Sequence, residues 1–103
     1  MIHLTAQTRI RLAVTPADFR KGIDGLAALV KYDYTADPRS AVFVFINRRA
    51  TMIRILAHEN NGFWMMTKRI SSGKFSGWPR GEQPLCPIQS IALRQLLNGP
   101  ASE

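Results

Sequence analysis

The chain has 103 residues, 46% of them hydrophobic, and sets 14 Lys and Arg against 7 Asp and Glu for a net charge of +7. This size fits one domain, residues 1–103, with a modest core, and the apolar fraction excludes a disordered chain. No apolar run reaches the roughly 18 residues of a membrane span, the single Cys86 excludes an internal disulfide or a cysteine-built zinc site, and Arg9 and Arg11 interrupt the place of a secretory signal, so a cytoplasmic location is expected.

Residues 9–14, Arg-Ile-Arg-Leu-Ala-Val, alternate polar and apolar and read as a short strand. Thr15-Pro16-Ala17-Asp18 has the pattern of a helix start, with Thr15 and Asp18 as a capping box. Gly22 and Gly25 weaken a continuous helix. The pattern predicts one turn, a kink at Gly22 in a backbone conformation that a side chain would strain, and then a helix from about 22 to 32. Ile23, Leu26, Ala27 and Val30 give that helix one buried face.

A polar connection over 33–41 leads to Val42-Phe43-Val44-Phe45-Ile46, which reads as a strand covered on both faces. Asn47 to Thr51 is a hairpin loop, and Met52 to Ala57 is the next strand, with Arg54 inside it. Residues 58–62 read as a second turn, Phe63 to Ile70 as a strand, Ser71-Ser72-Gly73 as a third turn, and Lys74 to Trp78 as a short strand stopped by Pro79. Residues 79–87 read as an irregular loop. Pro87 opens a final helix over 87–97, which Asn98-Gly99-Pro100 ends. The expected fold is α+β: an antiparallel meander of four to five strands with two packed helices, at about 22–32 and 87–97.

The charge excess points first to nucleic acid, with an unengaged soluble surface, an acidic protein and a membrane surface as alternatives. Two groups of cations are candidates for contact. Alternate hairpin turns share one end of a meander, so Arg48 and Arg49 are expected beside Lys68, Arg69 and Lys74, as a phosphate-binding edge requires. Hairpin tips also collect charge without function. Arg20 and Lys21 adjoin Gly22, where exposed amides suit a phosphate oxygen. The other reading of Arg20 is a structural ion pair with Asp18 or Asp24. Trp64 and Trp78 fall on strands in the basic region, where core packing is the expected role and base stacking the alternative.

Catalysis has little support in the chain. His3 and His58 lack metal-motif spacing, Ser71 and Ser72 lie in no nucleophile elbow, and the few carboxylates do not suggest a two-metal nuclease. No catalytic residue, metal site or cofactor is assigned.

Asp18-Phe-Arg-Lys-Gly-Ile-Asp-Gly-Leu26, Phe43-Val-Phe-Ile-Asn-Arg-Arg49, Ile53-Arg-Ile-Leu56, Lys68-Arg69, Gly73-Lys-Phe75 and Trp78-Pro79 follow one another in this order. Together they resemble the TnpB accessory proteins of bacterial insertion sequences of the sixty-six type, which are distinct from the RNA-guided nuclease of that name. The resemblance runs from about residue 4 to 97. It implies a non-enzymatic accessory protein of transposition, in the bacterial cytoplasm or on the nucleoid, with no established catalytic residues to carry over. The expected partners are DNA, at the element ends or non-specifically, and the transposase, with a second accessory protein as a further option. The alternative is an adaptor whose arginines meet an acidic patch on one of those proteins. Ala57-His-Glu-Asn60 departs from the aromatic or acidic stretch common at this place in the family.

Overall fold

The computed structural model describes residues 4–98. Strand β1 (Ile10–Ala13) is followed by helix α1 (Ile23–Ala28), which continues as a π-helical turn over Leu29–Asp33. Three strands follow as a meander: β2 (Val42–Ile46), β3 (Met52–Glu59) and β4 (Gly62–Arg69). Strand β5 (Leu85–Ile88) and helix α2 (Ser90–Leu97) complete the chain. The sheet order is β4-β3-β2-β1-β5, with β1 and β2 parallel and every other pair antiparallel.

The two faces of the sheet carry separate cores. Ile10, Leu12, Val42, Val44, Ile46, Ile53, Ile55 and Ala57 pack with Leu93 of α2 and with Phe75. Ala13, Phe43, Phe45 and Leu56 pack on the opposite face with Leu26 of α1, Val30 of the π-helical turn, Ala17 and Leu85. All five residues of β2 are buried, so this central strand is covered on both sides. Each fully buried side chain such as Phe43 or Leu56 contributes about 1.5–3 kcal/mol relative to exposure.

The α+β class, the five-strand sheet and the two helices agree with the sequence reading, and several details differ. Residues 15–18 form no helical turn, and Thr15 and Asp18 form no capping box. The Asp18 carboxylate instead accepts the Arg20 amide at 2.9 Å, closing a tight local turn. Gly22 caps α1 at φ −89° and ψ −161°, extended backbone that any residue adopts, and a side chain there would meet open space. The strain expected at Gly22 is absent. Close approach occurs at Gly25 instead, where a Cβ would lie 2.9 Å from the Lys21 Cβ.

Residues 74–78 are not a strand. Phe75 and Trp78 are spaced to plug one core rather than to alternate, and Gly77 has φ 76°. The fourth antiparallel strand lies later, at Leu85–Ile88, in the stretch read as loop and helix start. Two prolines hid it: Pro84 precedes it and Pro87 lies within it, a position tolerated because β5 is an edge. Helix α2 accordingly begins at Ser90 instead of 87. The expected helix stop at Gly99-Pro100 and the residue His3 lie outside the described residues.

Candidate functional site

Because β1 and β2 run parallel, their carboxyl ends lie together, beside the start of β3, the end of β4 and the start of β5. Three connections gather at this end: residues 14–22, 47–51 and 70–84. They carry Arg20, Lys21, Arg48, Arg49, Lys74 and Arg80, while Lys68 and Arg69 close β4 beside them. The topology thus brings together all seven cations singled out in the sequence and adds Arg80. Glu59 and the Asn60-Asn61 turn lie at the opposite end of the β3–β4 hairpin.

The Arg48-Arg49 tip is held from below. Asn47 Oδ1 accepts the amides of Thr51 at 2.9 Å and Met52 at 3.0 Å, and Asn47 Nδ2 donates to Thr51 Oγ1 at 3.0 Å. The Ala50 amide donates to the Asn47 carbonyl at 3.0 Å, and Ala50 takes φ 60°. A side-chain clamp on the loop's own backbone thus leaves both arginines exposed on an ordered turn.

The 18–22 corner is fixed against the sheet by Arg54. Its Nη1 donates to the carbonyls of Phe19 at 2.8 Å and Lys21 at 3.2 Å, and its Nε donates to Thr67 Oγ1 at 2.9 Å. The Ala17 amide donates to the Ile46 carbonyl at 2.9 Å, tying the same segment to the end of β2. Sequence reading placed Arg54 within a strand and gave it no role. The available signal was a lone arginine among apolar strand residues, which has to find acceptors when it is partly buried.

Corner and hairpin tip enclose an open cleft of about 490 Å³ lined by Pro16 to Arg20, Asn47, Arg48, Arg49 and Met52. Met52 pairs across the sheet with Arg69, so Arg69 lies next to this cleft. A second cleft of about 540 Å³ lies on the other flank of the tip, lined by Arg48, Ala50, Phe75 to Pro79 and Arg80, among others. The Phe75 amide donates to the Ala50 carbonyl at 2.7 Å, which holds Lys74 beside the same loop. Arg80 was passed over in the sequence because it sits in a proline- and glycine-rich loop. Trp78, two residues earlier, anchors that loop by donating its indole N–H to the Ala13 carbonyl at 3.0 Å.

Two of the seven cations are already engaged. Arg20 forms a two-pronged bond to Asp18, with Nε to Oδ1 at 3.0 Å and Nη2 to Oδ2 at 2.8 Å. Hydrogen bonds from the Arg20 side chain and amide pull the Asp18 carboxyl from its ordinary 3.8 down to about 2, and the same pairing raises the Arg20 pKa. The Arg20 side chain stays 91% exposed, so its remaining donors face solvent. Lys68 Nζ donates to the Leu97 carbonyl at 2.6 Å, at the negative end of α2. Trp64 is not in the basic region: it lies near the opposite end of the sheet, 48% exposed, with its indole N–H donated to Glu59. Among the described residues, no group of three His, Cys, Asp or Glu side chains is placed to hold a metal ion, and no helix is long and apolar enough to cross a membrane.

A protein-family comparison matches residues 8–103 to the TnpB family, described as IS66 Orf2 like protein. The chain belongs to that family, the accessory proteins of IS66-type transposition. It is 40% identical over 76 residues to the uncharacterized protein y4jC of Sinorhizobium fredii (strain NBRC 101917 / NGR234), covering 73% of this chain and 65% of that relative. It is 29% identical over 100 residues to the uncharacterized protein y4hO of the same strain, covering 96% of this chain and 86% of that one. No solved structure matches the chain.

Proposed function

We propose that this protein assists transposition by binding DNA through the basic end of its sheet, without itself performing chemistry. The observation that carries this reading is the convergence of Arg20, Lys21, Arg48, Arg49, Lys68, Arg69, Lys74 and Arg80 at one end, from three separate connections and the end of β4. A row of cations around two open clefts suits a phosphate backbone, because each contact releases condensed counterions. It suits a small apolar ligand poorly. Among the described residues, the large hydrophobic side chains that are exposed are Tyr32, Trp64, Met66 and Ile91, and none lines either cleft. Apolar atoms do lie among the arginines, from Phe19 and Met52 in one cleft and from Trp78 and Pro79 in the other, so a protein-docking face is the second reading, and the test below separates the two.

Binding of this kind is largely indifferent to sequence and steep in salt. With about four phosphates contacted, log K falls against log salt with a slope of about −3.6. The test is a salt-titrated binding assay with terminal-repeat and random DNA, on the protein and on its Arg48→Ala/Arg49→Ala variant. The variant is expected to lower the steepness by about 2 and to fold normally. Full DNA affinity in the variant with lost transposase binding replaces this reading with the adaptor.

A further inference from the structure

The two edges of the sheet are unlike. Strand β5 has four residues and contains Pro87, which lacks an amide to donate. Strand β4 has eight residues, no proline, and an uncharged middle at Trp64-Met65-Met66. The amide of Ile70, just past β4, bonds inward to the Thr51 carbonyl at 3.0 Å. Alternation along the strand then turns the even-numbered amides towards β3 and those of Phe63, Met65 and Thr67 away from it. Among the described residues, the outer edge of β4 is a row of backbone groups facing no other strand.

Trp64 and Met66 stand on the α2 side of this edge, 48% and 40% exposed. Glu59 and Lys68 lie on the same side, at opposite ends of the hairpin, and Glu59 accepts the Trp64 indole N–H. Gly62 is the cross-strand neighbour of Glu59, and the space above it is open.

We propose that β4 pairs antiparallel with β4 of a second copy of this chain, about a two-fold axis at Met65. This register joins the two Met65 residues through their outward amides. It sets Trp64 opposite Met66 of the second copy, twice, in the closer type of cross-strand pair. It also sets Lys68 of the second copy opposite Gly62, whose missing side chain lets the ammonium reach across to the Glu59 carboxylate. In this arrangement the ammonium exchanges its bond to the Leu97 carbonyl for the carboxylate. Parallel pairing would set Lys68 against Lys68. The antiparallel strand is complementary to itself in charge and in exposed apolar surface.

The test uses the full chain without DNA. Light scattering after size exclusion is expected to give the mass of two chains. Amide exchange is expected to slow at Phe63, Met65 and Thr67 as concentration rises. Met65→Pro removes the central outward donor and is expected to weaken self-association about tenfold or more. Since Met65 also packs on the α1 side, Met66→Lys gives the same loss through an exposed side chain. Glu59→Lys and Lys68→Glu are each expected to weaken the dimer, and the double variant to restore it. A monomer up to about 100 µM, protection mapping to another face, or unchanged association in Met66→Lys overturns the proposal.

Discussion

The Arg54 guanidinium lies 4.4 Å over the Phe19 ring and donates to the Phe19 carbonyl at 2.8 Å. One side chain from the sheet therefore fixes both the backbone and the ring of the corner that presents Arg20 and Lys21. Arg54→Ala leaves two carbonyls without this charged donor and is expected to cost about 1–3 kcal/mol in urea unfolding. It is also expected to reduce DNA affinity, although Arg54 itself is turned inward. Arg54→Lys offers a point charge in place of a fork and should recover only part of either loss. A variant of wild-type stability would show that the corner is held by the Ala17 and Ile46 bond alone.

Asp18 supplies a pH signature. Its carboxyl titrates at about 2 in place of 3.8, since the Arg20 side chain and amide bond its charged form. A lowered folded value adds stability above the ordinary value, and that increment fades as pH falls from 3.8 towards about 2. Arg20→Ala is expected to return the titration of Asp18 upward, followed by carboxyl-carbon NMR shifts. A phosphate that draws Arg20 away from Asp18 should move the midpoint in the same direction. A midpoint insensitive to DNA places Arg20 outside the contact surface.

Gly22 and Gly25 should respond differently to an added methyl. Gly22→Ala meets open space on extended backbone and is expected to change stability by less than about 0.5 kcal/mol. Gly25→Ala gains helix propensity worth about 1 kcal/mol but brings a Cβ within 2.9 Å of the Lys21 Cβ, whose own carbonyl Arg54 holds. Overpacking of this kind costs about 1–3 kcal/mol, so a net loss near 1 kcal/mol is expected in thermal unfolding. Equal stabilities would mean that the corner yields freely.

Ala50 occupies left-handed backbone at φ 60°, where glycine rests without steric cost. Ala50→Gly is expected to stabilise the hairpin by about 0.5–1 kcal/mol while leaving Arg48 and Arg49 in place. Calorimetry checks the first part and the salt slope the second. A lower melting temperature would mean that the methyl's contact with the core outweighs the backbone relief.

What could be read in the sequence follows from how local each signal is. The runs at 42–46, 52–57 and 63–70 declare their strands, since alternation and turn residues sit within a few positions of each other. The Ile23, Leu26 and Val30 stripe declares α1 in the same way. Strand β5 escapes because its four residues are held by pairing with β1, far away in the chain, and its prolines argue against it. The parallel pairing of β1 with β2 is equally invisible to local pattern, although a helix between two strands allows it. The basic end was legible through the alternation of hairpin turns. The two clefts, the Arg54 anchor and Arg80 were not, because each depends on which distant segment packs beside it.

Strand β1 lies between β2 and β5, so the first strand of the sheet is completed by the last one to leave the ribosome. During synthesis the meander can form early, from neighbouring residues. Closure of the 70–84 loop waits for β5, as it spans from β4 to the far edge, and pairings so distant along the chain form slowly. Arg80, close to β5 in this loop, is set last, whereas Lys74 is held earlier through the Phe75 bond to Ala50. A nascent chain therefore presents Arg48 and Arg49 before it presents the whole basic rim.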